Sequence, residues 1–224
     1  MLKTVARELK DHSPFTIFGA FTGIVIMALF SSVSHKAAYG AFYVLHPLHV
    51  FLSAVVTSSM YEKYRRGGQS AAKGLWSMLL IGYVGSIGVA TLSDSLIPYL
   101  GERALGMPRA ELHLGFLEEK VFVNGMAFLG IAVAYWKPTT RQPHALHVLV
   151  STWASLFHVI MALGGAPAPW MYPVILVLLF VAVWVPCCFS DIVFPLLFVK
   201  GDAPRGSCGC GEGVCDGAKE VRKG

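Results

Sequence analysis

Six apolar stretches divide the chain, near residues 15–33, 38–60, 74–97, 113–136, 145–163 and 171–199. Each is close to the ~20 residues that a helix needs to cross the hydrocarbon core of a bilayer. They predict an all-α, polytopic membrane protein with six transmembrane helices. The composition excludes the main alternative: 14% of the residues are charged, against roughly 25% in soluble domains, and the mean hydropathy is +0.60. A soluble globular enzyme does not fit. The net charge of +5 is no nucleic-acid signal in such a chain, because the basic residues of a membrane protein collect in its cytoplasmic loops.

Their placement sets an orientation. Lys3, Arg7 and Lys10 precede the first stretch; Lys63, Arg65, Arg66 and Lys73 border the second break; Lys137 and Arg141 border the fourth; Lys200, Arg205, Lys219, Arg222 and Lys223 follow the sixth stretch. The alternate breaks hold only Lys36, Arg103 and Arg109, and Lys120 falls inside the fourth stretch. Both termini are therefore expected in the cytoplasm, and the membrane is expected to be a prokaryotic plasma (inner) membrane. The first apolar run exceeds the 7–15 residues of a signal-peptide core and no Ala-x-Ala site follows it, so it is expected as a retained helix. The expected organisation is a cytoplasmic arm at 1–14, three helices in 15–110, three more in 111–200, and a flexible cytoplasmic tail at 201–224 rich in Cys and Gly.

The two groups of three resemble one another. His46-Pro-Leu-His49-Val-Phe-Leu-Ser53 recurs as His144-Ala-Leu-His147-Val-Leu-Val-Ser151, and Ser93-Asp94-Ser-Leu-Ile-Pro98 recurs as Ser190-Asp191-Ile-Val-Phe-Pro195. A weaker echo joins Ala20-Phe-Thr-Gly23 to Ala127-Phe-Leu-Gly130. His and Asp are scarce in the chain and costly in lipid, so chance matching of Leu and Val does not account for these pairs. Three crossings separate each residue from its counterpart, so the halves have opposite orientations. The expected architecture is a 3+3 inverted repeat, as in secondary transporters whose halves meet around a substrate path.

The repeated residues carry the chemistry. His46, His49 and Ser53 fall at i, i+3 and i+7, as do His144, His147 and Ser151, so each set forms one stripe on a helix. Counted along the spans, His46, His49 and Asp94 form an outer half-site, and His144, His147 and Asp191 an inner one. Neutral imidazoles and a carboxylate suit a transition-metal ion, and Ser53, Ser93, Ser151 and Ser190 are placed to orient ligands. Any single buried His is explained as well by a hydrogen bond to a neighbouring helix; repetition favours a path. Cys187 and Cys188 precede Asp191, where the first half has Ala90 and Thr91. In the tail, Cys208, Cys210 and Cys215 suit soft-metal binding or redox chemistry better than a disulfide in a reducing compartment. His113, Glu118, Glu119 and His158 are expected to form an outer vestibule. Glu118 or Glu119 is explained equally by pairing with Lys120 or Arg103.

The function expected is alternating-access transport of a transition-metal ion such as zinc or copper(I) between the two half-sites. The ligands soften inward, which favours uptake of a thiophilic ion, and the tail would either hand it to a cytoplasmic metal acceptor or sense cytoplasmic metal and regulate export. The partners are then the ion, the bilayer and a second copy of the chain in a homodimer. Two other readings use the same residues: a membrane-embedded zinc-dependent hydrolase and a haem-binding electron-transfer protein with paired His ligands.

Overall fold

A computed structural model describes residues 2–29, 33–64, 71–139 and 141–189, with the single positions 194 and 198. Most of the described residues are helical, with no strand among them. The helices are α1 (Leu2–Leu29), α2 (His35–Tyr64), α3 (Ala71–Ala90), α4 (Ile97–Ala104), α5 (Gly115–Glu118), α6 (Lys120–Trp136), α7 (Arg141–Leu163) and α8 (Met171–Cys188). Three helical segments are long and apolar enough to cross a membrane: His35–Lys63, Lys73–Ala104 and Ala145–Leu163. Ser13–Leu29, Lys120–Trp136 and Met171–Cys187 are shorter apolar helices.

Among the boundaries that differ from those read in the sequence, two bear on the polar residues. The third apolar stretch does not end near Pro98 but continues to Ala104, through a π-helical turn at Thr91–Leu96 that joins α3 to α4. The amide of Ile97 reaches back five residues to the carbonyl of Leu92. Pro98 lacks the amide that an α-helical ladder would send to Asp94, so the register shifts where one bond is missing in any case. The fourth apolar helix starts at Lys120 rather than 113, and His113, Glu118 and Glu119 precede it.

The helices pair in a regular pattern. α2 packs against α3, α6 and α7, while α1 packs against α7 and α8; α7 also meets α8, and α3 meets α6. Exchanging α1 with α6, α2 with α7 and α3 with α8 maps these pairings onto one another. The apolar clusters follow the same exchange. Ala20, Met27, Leu156, Val159, Ile175 and Leu179 fill the space between α1, α7 and α8. Ala54, Tyr61, Met78, Ile81, Ile131 and Ala134 fill the one between α2, α3 and α6.

Close approach of the helices depends on small residues. A Cβ on Gly130 of α6 would lie 2.4 Å from the Phe51 carbonyl oxygen of α2, and one on Gly101 of α4 would lie 2.4 Å from Leu178 of α8. Such contacts are how helices associate where lipid removes the hydrophobic drive. The outer surface is apolar: Val121 is 90% exposed, Trp136 87%, and Leu29 and Trp76 73%. The polar side chains lie between α2, α7 and the α3–α4 rod. At one end, α4 and α7 both stop at glycines with positive φ, Gly106 and Gly164, the backbone state that glycine adopts most cheaply at a helix C-terminus. The amide of Arg109 then donates to the carbonyl of Ala162, fastening the two ends together.

Candidate metal centre

Polar residues on α2 and α7 recur at helical spacing and are buried. On α2 they are His46, His49, Ser53 and Thr57; on α7, His147, Ser151, Ser155 and His158. The two helices lie against each other, so the stripes share one seam.

Asp94 organises this seam. It sits in the π-helical turn and is fully buried. Its Oδ2 lies 3.0 Å from His46 Nδ1 and 2.8 Å from His49 Nδ1. Its Oδ1 lies 2.7 Å from the Ser93 hydroxyl and 2.8 Å from the Ser151 hydroxyl. The Ser155 hydroxyl closes the network with distances of 2.9 Å to the carbonyls of both Ser93 and Ser151. Four donors thus surround a carboxylate that would otherwise be costly to bury. A carboxylate that accepts from Nδ1–H fixes the imidazole tautomer and turns the Nε2 lone pair outward, the usual support for a metal-ligating His.

His49 Nε2 is buried and makes no hydrogen bond among the described residues. The His49 ring faces that of His147, with centroids 5.2 Å apart and planes inclined by 35°. Cys187 of α8 completes the group: one ligand atom from each of His49, His147 and Cys187 lies within 4.8 Å of the other two, and all three residues are buried. Two imidazoles on one tetrahedral metal would have ring centres about 5.2 Å apart, from metal–nitrogen bonds of 2.0–2.1 Å. The Cys187 sulfur is also 3.9 Å from the Ser151 hydroxyl.

The sequence places His49 and His147 in separate outer and inner half-sites; the structure brings them together in one centre with Cys187. His46 lies beside it, stacked on Phe42 at 5.2 Å. Gly115 covers the edge of its ring, since a Cβ there would fall 2.6 Å from His46 Nε2. Ser53 is buried, and its hydroxyl has no hydrogen-bond partner among the described residues. His144 and Cys188 occupy α7 and α8, but their side chains lie outside the described residues. So do Ser190, Asp191, Cys208, Cys210 and Cys215.

The vestibule residues gather at the fastened end of the seam. Glu118 accepts hydrogen bonds from Tyr43 and from the Leu114 amide, and His113 Nδ1 lies 3.3 Å from it. These contacts take the place of the pairing with Lys120 or Arg103 considered from sequence. Glu119 is exposed at the start of α6. Burial, and next the imidazole of His158, hold His113 below the ordinary imidazole range. His158 does not stand alone: its Nδ1 lies 2.7 Å from Glu102, a buried acid of α4. Glu102 escaped the sequence reading because Pro98 marked a break there, whereas proline at the first turn of a helix is well tolerated. Its spacing of eight residues from Asp94 was the available signal. Asn124 packs helices together, as its donation to the Phe116 carbonyl and its acceptance from Tyr83 indicate.

Comparison with known protein families, curated proteins and solved structures finds no match to this chain.

Proposed function

We propose that this protein is a multi-pass membrane carrier for a transition-metal ion, with His49, His147 and Cys187 as the ligands that meet the ion within the bilayer. The observation that carries the reading is the convergence of three buried ligand atoms within 4.8 Å from three helices, next to a carboxylate that orients one of them. Ionisable groups of this kind are expensive within apolar helices and are kept there for a pathway or a site. Two imidazoles and a thiolate suit zinc or copper(I) and other thiophilic ions. Asp94 and a Cys187 thiolate together balance a divalent charge.

The architecture proposed is six spans in a 3+3 inverted repeat, with both termini cytoplasmic. The exchange pattern of helix pairings and of the two apolar clusters supports the repeat. A centre that draws His49 from one half and His147 and Cys187 from the other lies where transporters of this type bind their substrate. Spans of 17 residues are at the short end of the range that crosses a bilayer. Paired axial imidazoles on a haem iron would hold ring centres about 6 Å apart, given iron–nitrogen bonds similar to those of zinc, and the 5.2 Å separation of His49 and His147 favours a tetrahedral ion instead.

The test is elemental analysis of the purified chain combined with flux into vesicles. Bound metal is expected, and His49→Ala, His147→Ala and Cys187→Ser should each abolish both binding and flux while the protein remains folded. Undiminished flux in His49→Ala and His147→Ala would refute the carrier reading.

A further inference from the structure

Glu102 and His158 form a buried acid–imidazole pair that the metal centre does not use. His158 Nδ1 lies 2.7 Å from Glu102 Oε1, and the two side chains are 1% and 0% exposed. With that contact made, His158 Nε2 and Glu102 Oε2 lie at opposite ends of the pair, and both are buried without a hydrogen-bond partner among the described residues. Atoms so disposed do not converge on one metal ion. A proton needs no convergence, since it binds a single lone pair, and His and carboxylate side chains are its usual carriers within membrane helices.

The surroundings leave one negative charge on the pair when its imidazole is neutral. Asp94 offsets the same charge with four donors, whereas Glu102 has the single donor from His158. Among the described residues no Lys or Arg pairs with Glu102, and the cations nearest to it in sequence, Arg103 and Arg109, are exposed. Of the helices packed on α4 and α7, α1 from residue 13 onward and α8 from 173 to 186 hold no ionisable side chain. Tyr172 at the start of α8 packs in an apolar cluster. The ionisable group that faces the pair is His113, its ring centre 5.4 Å from that of His158. His46 lies beyond Phe42, whose ring is 5.3 Å from His158 and 5.2 Å from His46. A buried carboxylate with so little compensation is costly, and one proton removes the cost.

The step balances within the pair. His113 has a side chain 12% exposed, beside a Glu118 that is 36% exposed, and it passes a proton inward directly or through one water. The proton adds to His158 Nε2 and stays there, while the proton on Nδ1 crosses to Glu102 Oε1. The product is a neutral carboxylic acid that donates to a neutral imidazole of the other tautomer. The reverse steps return the proton to the vestibule. Glu102 follows Asp94 by eight residues, about 12 Å along the rod. A divalent ion that replaces the Cys187 proton adds one positive charge at the centre. Across about 12 Å, at an effective dielectric constant of about 20, that charge and the pair's proton each weaken the binding of the other about tenfold.

We propose that Glu102 and His158 are the proton-binding site of this protein, loaded from the vestibule through His113 and emptied when a divalent ion occupies the centre. The proton site stands on the pair itself; exchange of its proton for a transported ion rests on the carrier reading.

The test counts the protons that the purified full chain releases as it binds Zn(II) in weak buffer, over a range of pH. A tenfold coupling displaces at most about half a proton per ion from the pair, as a peak in the pH profile above the release from Cys187. Glu102→Gln and His158→Gln should each lose that peak and keep the thiolate absorption that Co(II) gives at the centre. A parent profile in both variants overturns the proposal. Should the variants misfold, the parent protein decides by infrared difference spectroscopy. Addition of Zn(II) must remove a carboxylic-acid band that shifts with ¹³C-labelled glutamate and not with labelled aspartate, and absence of that band overturns the proposal equally. Failure of the carrier reading appears differently, as a parent that shows the peak and moves no zinc into vesicles. Where zinc does move, vesicles that hold a pH-sensitive dye should show fewer protons exchanged per zinc ion with Glu102→Gln than with the parent.

Discussion

At the scale of residues, the proposed centre depends on hydrogen bonds that aim its candidate ligands. Asp94 touches no proposed metal ligand except through its bonds to histidine, so it acts as a positioning residue. Asp94→Asn keeps the shape but presents an amide N–H to groups that are themselves donors, and His49 loses its fixed tautomer. Loss of such a support typically costs 10–100-fold in metal affinity, and that decrease is expected in a Zn(II) competition titration, with Cys187 still able to contribute its thiolate absorption when Co(II) is bound. Gly115 offers a second test. A methyl group there would press on His46 at 2.5–2.6 Å, and His46 is held by both Asp94 and Phe42, so it has little room to yield. Gly115→Ala should weaken metal binding, whereas Gly40→Ala, where a Cβ meets nothing within 4 Å, should not. The sequence made the His and Ser stripes legible because helical spacing puts such residues on one face whatever surrounds them. It could not reveal that Tyr43 and Gly115 support Glu118 and His46, since those contacts join residues 75 and 69 positions apart through packing alone.

At the scale of elements, the π-helical turn has the largest effect. It adds a residue to the rod between α3 and α4 and so sets the angle between the face that α3 presents to α6 and the face that carries Glu102 to His158. Deletion of Leu92, which is exposed, would restore a continuous α-helical register and turn one side of the rod by about 100° relative to the other. The expected result is loss of metal binding with little change in helix content by circular dichroism; retained binding would show that the turn is incidental. The pairing of α2 with α6 is equally specific. At Gly130 an added Cβ meets backbone rather than a movable side chain, so Gly130→Ala must separate the helices. Overpacking of this kind costs about 1–3 kcal/mol, read as a lower melting midpoint in detergent. Hydropathy alone located the six apolar helices, because apolar length is a local property. The π-helical turn and the extension to Ala104 were not legible, as they follow from a proline whose effect depends on whether it sits inside a helix or at its first turn.

At the scale of the whole molecule, the distribution of polarity argues for a bilayer. The exposed surface carries Trp76, Val121 and Trp136, while histidines, serines and two carboxylates are buried, the reverse of the order that water imposes on a soluble domain. Among the described residues, three helical segments have the length to span with ease. The shorter ones pack against them in the same bundle, and a helix of 17 residues measures about 25 Å, a few ångströms less than a typical hydrocarbon core, which bilayer thinning accommodates. The repeated residues were legible in the sequence, but repetition does not say where they meet. Counting along each span put His49 and His147 on opposite sides, because it treats the helices as parallel rods crossing side by side. The contact between α2 and α7 instead brings His49, midway along α2, against His147 in the second turn of α7. Six crossings and three make different topological predictions. Single cysteines at Ser34, Gly68, Glu111 and Pro138, placed in a chain lacking its own cysteines, should divide by side of the membrane. In intact cells a membrane-impermeant maleimide should label Ser34→Cys and Glu111→Cys but reach Gly68→Cys and Pro138→Cys only after permeabilisation. If α6 did not cross, Glu111→Cys and Pro138→Cys would react alike. That result would remove the inverted topology while leaving the metal centre to be judged by its own titration.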